Sequence, residues 1–121
     1  MSHTFAVFFL PLFAIFFFVC ATLAGTFLAQ RRFLGKPQPM PVVLIHGSLA
    51  AIGLGCLLTA YFNEALQGLG TAALVIFLLA ALGGFFLFFT NIRGKDLSKP
   101  VVILHASLAF TAFILLVAAL F

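Results

Sequence analysis

Apolar residues run almost unbroken through four stretches of this chain, at 5–30, 41–62, 69–91 and 100–121, and the segments between them are short and polar. A helix needs about 20 residues to cross a hydrocarbon core of about 30 Å, and each stretch supplies them. The pattern therefore predicts an all-α membrane protein: a four-transmembrane-helix bundle with no soluble domain, forming a single transmembrane domain over 1–121. Met1-Ser2-His3-Thr4 lacks a basic leader and the run after it exceeds the apolar core of a signal peptide, so the first stretch is expected to be a spanning helix rather than a cleaved signal. Pro11 is expected to kink that helix near its outer end. Gln30 and Thr90-Asn91 are expected to cap helix ends, and Asn63-Glu64 to open the second loop.

The polar residues inside this pattern recur. Pro41-Val42-Val43-Leu44-Ile45-His46-Gly47-Ser48-Leu49-Ala50 returns as Pro100-Val101-Val102-Ile103-Leu104-His105-Ala106-Ser107-Leu108-Ala109, an offset of 59 residues. The same offset pairs Phe18 with Phe77, Ala21 with Ala80, Gly25 with Gly84, Gly35 with Gly94 and Lys36 with Lys95. Matching apolar residues arise readily in membrane helices, but Pro, His, Ser, Gly and Lys in one register do not. The bundle is thus a tandem repeat of a two-helix hairpin, repeat 1 covering about 5–62 and repeat 2 about 69–121. Each repeat contains two spans, so both copies share one orientation, and their pseudo-twofold axis should run along the membrane normal. The second and fourth helices then lie side by side or diagonally across the bundle.

Charge sets the topology. Of 121 residues 65% are hydrophobic and only 7% charged, which leaves the bilayer as the solvent. All six cations lie in two loops, Arg31, Arg32 and Lys36 in the first and Arg93, Lys95 and Lys99 in the third. Positive charge concentrates on the cytoplasmic side, so these loops are expected there, with both termini on the other side of a bacterial inner membrane. The cations are few and have no aromatic residues interleaved, which argues against nucleic acid as a partner. Cys20 and Cys56 sit at different depths and are expected to be unpaired packing residues.

An imidazole within the bilayer is a functional-site hypothesis by default. His46 and His105 each lie five residues inside the helix-starting prolines, about 8 Å deep at 1.5 Å per residue. Two imidazoles at one depth on equivalent helices could grip one haem iron from both faces. Gly47, Gly53 and Gly55, with Ala106 and Ala112, offer small side chains near the ligands, and Gly53 shares a helical face with His46. Eighteen Phe residues supply an apolar lining. Lys36, Arg93, Lys95 and Lys99 are candidates to pair with the haem propionates. The expected cofactor is haem b, with His46 and His105 as axial ligands and the remaining residues as its binding shell.

These four short-looped helices with intramembrane His residues resemble, in architecture, the small four-helix b-type membrane cytochromes such as the cytochrome b561-like proteins. The resemblance implies electron transfer through low-spin, bis-His iron, with a redox partner or quinone. Those proteins typically carry two haems on four His ligands; here two His residues lie within spans, which limits the chain to one haem unless chains share ligands.

Other readings stay open. A duplicated His could donate its ring N–H to a backbone carbonyl, or to Ser48 or Ser107, and lock helices together. Parallel repeats also suit a small transporter or channel protomer, most simply as a homodimer, although no Asp, Glu, Lys or Arg lies within a span. A third reading is a non-catalytic accessory subunit of a larger membrane complex. A zinc site is disfavoured, because two His residues do not complete a tetrahedral shell. No Ser/His/Asp arrangement, phosphate loop or CxxC is present.

Overall fold

A computed structural model describes residues 2–121 and contains five helices: α1 (His3–Phe8), α2 (Leu10–Phe33), α3 (Met40–Phe62), α4 (Leu69–Ile92) and α5 (Lys99–Leu120). α1 and α2 form one rod over His3–Phe33, and this rod and the other three helices are long and apolar enough to span a membrane. The all-α fold and the four spans are as the hydropathy pattern predicts. Pro11 has no N–H to give the preceding turn. The break falls at Phe9, yet the bonds Phe9 N–H to Phe5 and Phe13 N–H to Phe9 carry the rod through it, at 2.9 Å each. α2 also runs past its expected end at residue 30. It takes Arg31 and Arg32 into its last turn, where cations meet the negative end of the helix dipole.

Gln30 and Thr90-Asn91 prove to be helical residues, and the helix ends are closed by backbone instead. After α2, the Gly35 N–H bonds the Arg32 carbonyl and the Lys36 N–H the Arg31 carbonyl, at 3.2 and 2.8 Å. After α4, Gly94 and Lys95 bond Asn91 and Thr90 in the same way, at 3.0 and 3.2 Å. This is a Schellman closure, which needs a left-handed residue, and Gly35 and Gly94 supply it at φ 72° and 71°. The repeat thus extends to the loops. α3 closes in the same manner through Glu64, which holds φ 59° despite its side chain.

The four spans run up and down in chain order. α2 packs along α3 and α4 along α5, and the two hairpins meet more lightly through α2 against α5 and α3 against α4. α3 and α5, which carry the two intramembrane His residues, are therefore diagonal. So are α2 and α4. On that second diagonal the Phe18 and Phe77 rings stack, with centroids 4.0 Å apart and planes 9° from parallel. The residues paired by the 59-residue offset meet on one axis, as the repeat predicts.

Packing differs between the two halves of the bundle. The buried core of Ala14, Phe18, Leu57, Ala60, Ala73, Phe77, Ala112 and Leu116 lies between the Phe stack and the Glu64 loop. Toward the basic loops the buried apolar residues reduce to Ala21, Ala80, Leu97 and Val102. Large side chains such as Leu23, Phe85 and Phe110 point outward, and no charged or polar residue is buried among the described residues. In this half small residues face in and large ones face out, because lipid is as apolar as the interior and close backbone approach holds the helices together. Cys20 and Cys56 are free.

Gly53 belongs to this core, because a Cβ there would lie 3.0 Å from Phe18 Cε1. Gly53→Ala should overpack the stack and lower stability by about 1–3 kcal/mol. Gly55, on the same helix, has nothing within 4 Å of a Cβ. Gly55→Ala should be neutral or gain up to about 1 kcal/mol from helix propensity. Reversible unfolding in mixed detergent and SDS separates the two, and equal effects would contradict the packing described.

Candidate cofactor site

His46 sits six residues beyond the start of α3 and His105 six beyond the start of α5, so both lie about 9 Å inside the basic end at 1.5 Å per residue. Their rings meet across the axis with centroids 6.2 Å apart and planes 82° apart. Each ring is fixed from outside by its own hairpin. His46 Nδ1 lies 2.8 Å from the Ala21 carbonyl oxygen, and His105 Nδ1 lies 2.7 Å from that of Ala80. Ser48 and Ser107 are exposed and take no part.

A carbonyl oxygen can only accept, so Nδ1 carries the proton in both rings and the neutral imidazole keeps its lone pair on Nε2. Neither Nε2 makes a hydrogen bond. Among the described residues no enclosed side-chain nitrogen or oxygen lacks a partner, so both Nε2 atoms open onto accessible space. Two ring nitrogens are thus left without a proton donor, on rings whose centroids stand 6.2 Å apart. This is the arrangement a metal-ligating His adopts: one nitrogen donates to the backbone, which orients the ring and raises the basicity of the other.

Glycine makes room for the rings. A Cβ at Gly25 would lie 2.8 Å from His46 Cε1, and one at Gly84 would lie 3.2 Å from His105 Cε1. Gly25 and Gly84 each stand one turn beyond the carbonyl that the ring bonds. A side chain there would cover that oxygen.

The structure redistributes the other expected site residues. Gly47 is exposed with nothing within 4 Å of a Cβ, so it lies on the outer surface rather than beside the opposite ligand. Gly53 lies against Phe18, seven residues or about 10 Å beyond the His pair. Lys36 and Lys95 come together, lining a cleft of about 410 Å³ between the two basic loops with Arg32, Gln38, Asn91 and Asp96. Arg93 and Lys99 turn elsewhere: Arg93 Nε bonds its own helix at Phe89, 3.1 Å away, and Lys99 Nζ lies 5.8 Å from the centre of the Phe33 ring. His3 begins α1, at the far end of the bundle.

Arg32, Ala21, Ala80, Gly25, Gly84 and the Phe18–Phe77 stack were not among the expected site residues. Arg32 Nε bonds the Leu97 carbonyl and ties loop three to α2, which shapes the cleft from both repeats. Position in the repeat marks the other three pairs, since Ala21/Ala80, Gly25/Gly84 and Phe18/Phe77 recur at the offset that relates the histidines.

No three or more His, Cys, Asp or Glu side chains gather into a metal-holding group among the described residues. What meets across the axis is two imidazoles, one from each repeat. Compared with known proteins, the chain matches no family model, no curated protein and no solved structure.

Gly25→Ala should push the His46 ring off the Ala21 carbonyl. The slowly exchanging Nδ1–H signal of His46 should then disappear from the NMR spectrum while that of His105 remains, at a stability cost of about 1 kcal/mol. Gly47→Ala should leave both signals in place. A His46 signal that survives Gly25→Ala would show that the ring does not depend on the glycine.

Proposed function

We propose that this chain is an integral membrane b-type haem protein that transfers electrons, with one haem held between α3 and α5 by His46 and His105. The observation that carries the reading is the meeting of two Nδ1–H imidazoles across the axis with centroids 6.2 Å apart. A metal–imidazole bond of about 2.0–2.1 Å and a centroid-to-nitrogen distance of about 1.2 Å put two axial rings about 6.4 Å apart across one ion. Two protein ligands suffice for haem, because the macrocycle supplies the other four. When bound, the iron supplies reversible one-electron chemistry, low-spin when both axial positions are filled by imidazole.

The chain's own residues have separate tasks. The Ala21 and Ala80 carbonyls fix both tautomers and strengthen both ligands. Gly25 and Gly84 let the rings lie against α2 and α4. The Phe18–Phe77 stack would bound the macrocycle on one side, and the half of the bundle toward the basic loops, where fewer residues are buried, is where it would lie. Lys36, Lys95 and Arg32 would face the propionates at the basic end, which the charge rule assigns to the cytoplasm of a bacterial cell, with both termini outside. A redox partner or quinone would be served from this same end, nearest the ligands.

The carbonyl bonds alone also fit a structural lock. Each bond, however, ties helices that already pack within one hairpin. A lock does not account for the two rings meeting across the diagonal.

Expression in the presence of haem, purification in mild detergent and visible spectra of both oxidation states test the proposal. The expected result is a sharp low-spin bis-imidazole spectrum that is lost in His46→Ala and in His105→Ala. A colourless protein that takes up no haem would end the cytochrome reading and turn attention to flux and co-purification assays for a carrier or accessory subunit. In Lys36→Gln/Lys95→Gln the low-spin spectrum should persist, but haem should bind roughly tenfold more weakly or worse, as loss of charge-assisted hydrogen bonds predicts. Unchanged affinity would remove these lysines from the site.

A further inference from the structure

We infer that loop three, residues 93–98, is a strap across the basic end, held shut by Arg32, and that haem loads from this end when its carboxylates draw the Arg32 guanidinium away. The inference rests on the haem reading above and adds the route by which the site fills. Among the described residues, the bond from Arg32 Nε to the Leu97 carbonyl is the one hydrogen bond that joins the two hairpins. Every other closes within one hairpin or its adjoining loop, the two His–carbonyl bonds included. At the outer end the hairpins are held by the buried core and by the peptide link at 63–68. At the basic end few apolar residues are buried, and Leu97, 9% exposed, is the one that loop three contributes. The His pair lies about 9 Å inside this same end. Parting of the two basic loops therefore needs one hydrogen bond and one apolar anchor to give way, while the outer core stays closed.

The strap is where the repeats depart from each other. Asn91 stands at the position of Arg32 and Gln38 at that of Leu97. Gln38 Nε2 bonds the Leu28 carbonyl, 3.1 Å away, so loop one is tied to its own hairpin, whereas loop three is tied to the opposite one. Arg32 also lines the cleft of about 410 Å³ with Lys36 and Lys95. A carboxylate entering that cleft meets three cations, and it offers the planar guanidinium two charged acceptor oxygens in place of one neutral carbonyl. Such paired, charge-assisted bonds are about twice as strong as neutral ones, so the guanidinium exchanges partners and the strap is released. Arg32 is in this sense a positioning residue for entry as well as a contact of the bound propionates.

Two measurements test the strap, one of them without haem. Spin labels on Pro37→Cys and Asp96→Cys, in a Cys20→Ala/Cys56→Ala background, read the gap between the basic loops. We expect a narrow distance distribution that widens in Arg32→Gln and in Leu97→Ala, while labels on Phe62→Cys and Phe121→Cys at the outer end keep theirs. Haem uptake, followed by growth of the low-spin spectrum, should be about tenfold faster in both variants, as loss of one charged hydrogen bond or its anchor predicts. Leu97→Ala keeps every cation, so it separates a strap from a propionate contact: the contact alone would slow uptake in Arg32→Gln and leave Leu97→Ala unchanged. The dimethyl ester of haem, which has no free carboxylate, should load into the parent protein more slowly than haem. Unchanged loop distances, uptake no faster in Leu97→Ala, or equal rates for haem and its ester would overturn the inference while leaving the haem site intact. A protein that takes up no haem would overturn the functional reading, and the distances in the haem-free protein would still show whether Arg32 holds the loops together.

Discussion

Much of this structure follows from one contact made twice: an imidazole N–H donating to a helix carbonyl that already accepts from the backbone. In α2 the Ala21 oxygen serves the helix, and its second lone pair faces the groove between α2 and α3. A bare imidazole N–H in lipid is costly, and this lone pair removes the cost. The contact forms only where the next turn has no side chain, so Gly25 and Gly84 are needed at those positions. Once made, it decides which ring nitrogen is protonated, and that in turn leaves the other nitrogen as an acceptor. Packing, tautomer and chemical potential are thus consequences of one missing Cβ on each side.

The rest of the bundle is arranged around this pair. The stacked Phe18 and Phe77 rings divide a closely packed half from a more open one. The Schellman closures at Gly35 and Gly94 turn both basic loops alike and bring Lys36 and Lys95 to one cleft. Arg31 bonds the Pro37 carbonyl 2.7 Å away, and Arg32 crosses to Leu97, so two of the cations act as loop ties as well as charges.

The spans were legible because hydropathy reports helix length in a bilayer, and the repeat gave the axis before any coordinates did. The histidines were legible as well, since an imidazole stands out in an apolar alphabet. Their partners were not, because a backbone oxygen leaves no trace in residue identity; Ala21 reads as an ordinary packing residue. Phe18 and Phe77 were hidden among 18 phenylalanines, and only their shared offset distinguishes them. Gly47 was misplaced by its closeness to His46: neighbours in sequence point about 100° apart on a helix, and it faces outward while His46 faces in. The choice of cations facing the cleft depends on loop geometry, which sequence spacing does not encode.

Each hairpin is self-sufficient. It carries its own imidazole, carbonyl, glycine, stacking ring and closing turn, and the tether at 63–68 lies at the end away from the cleft. The peptide link between the halves sets their stoichiometry and keeps them together, but it adds nothing to the local chemistry. In this sense the molecule is severable: two separately made hairpins would contain every group found on the axis, and the covalent chain serves mainly to raise the effective concentration of one half around the other.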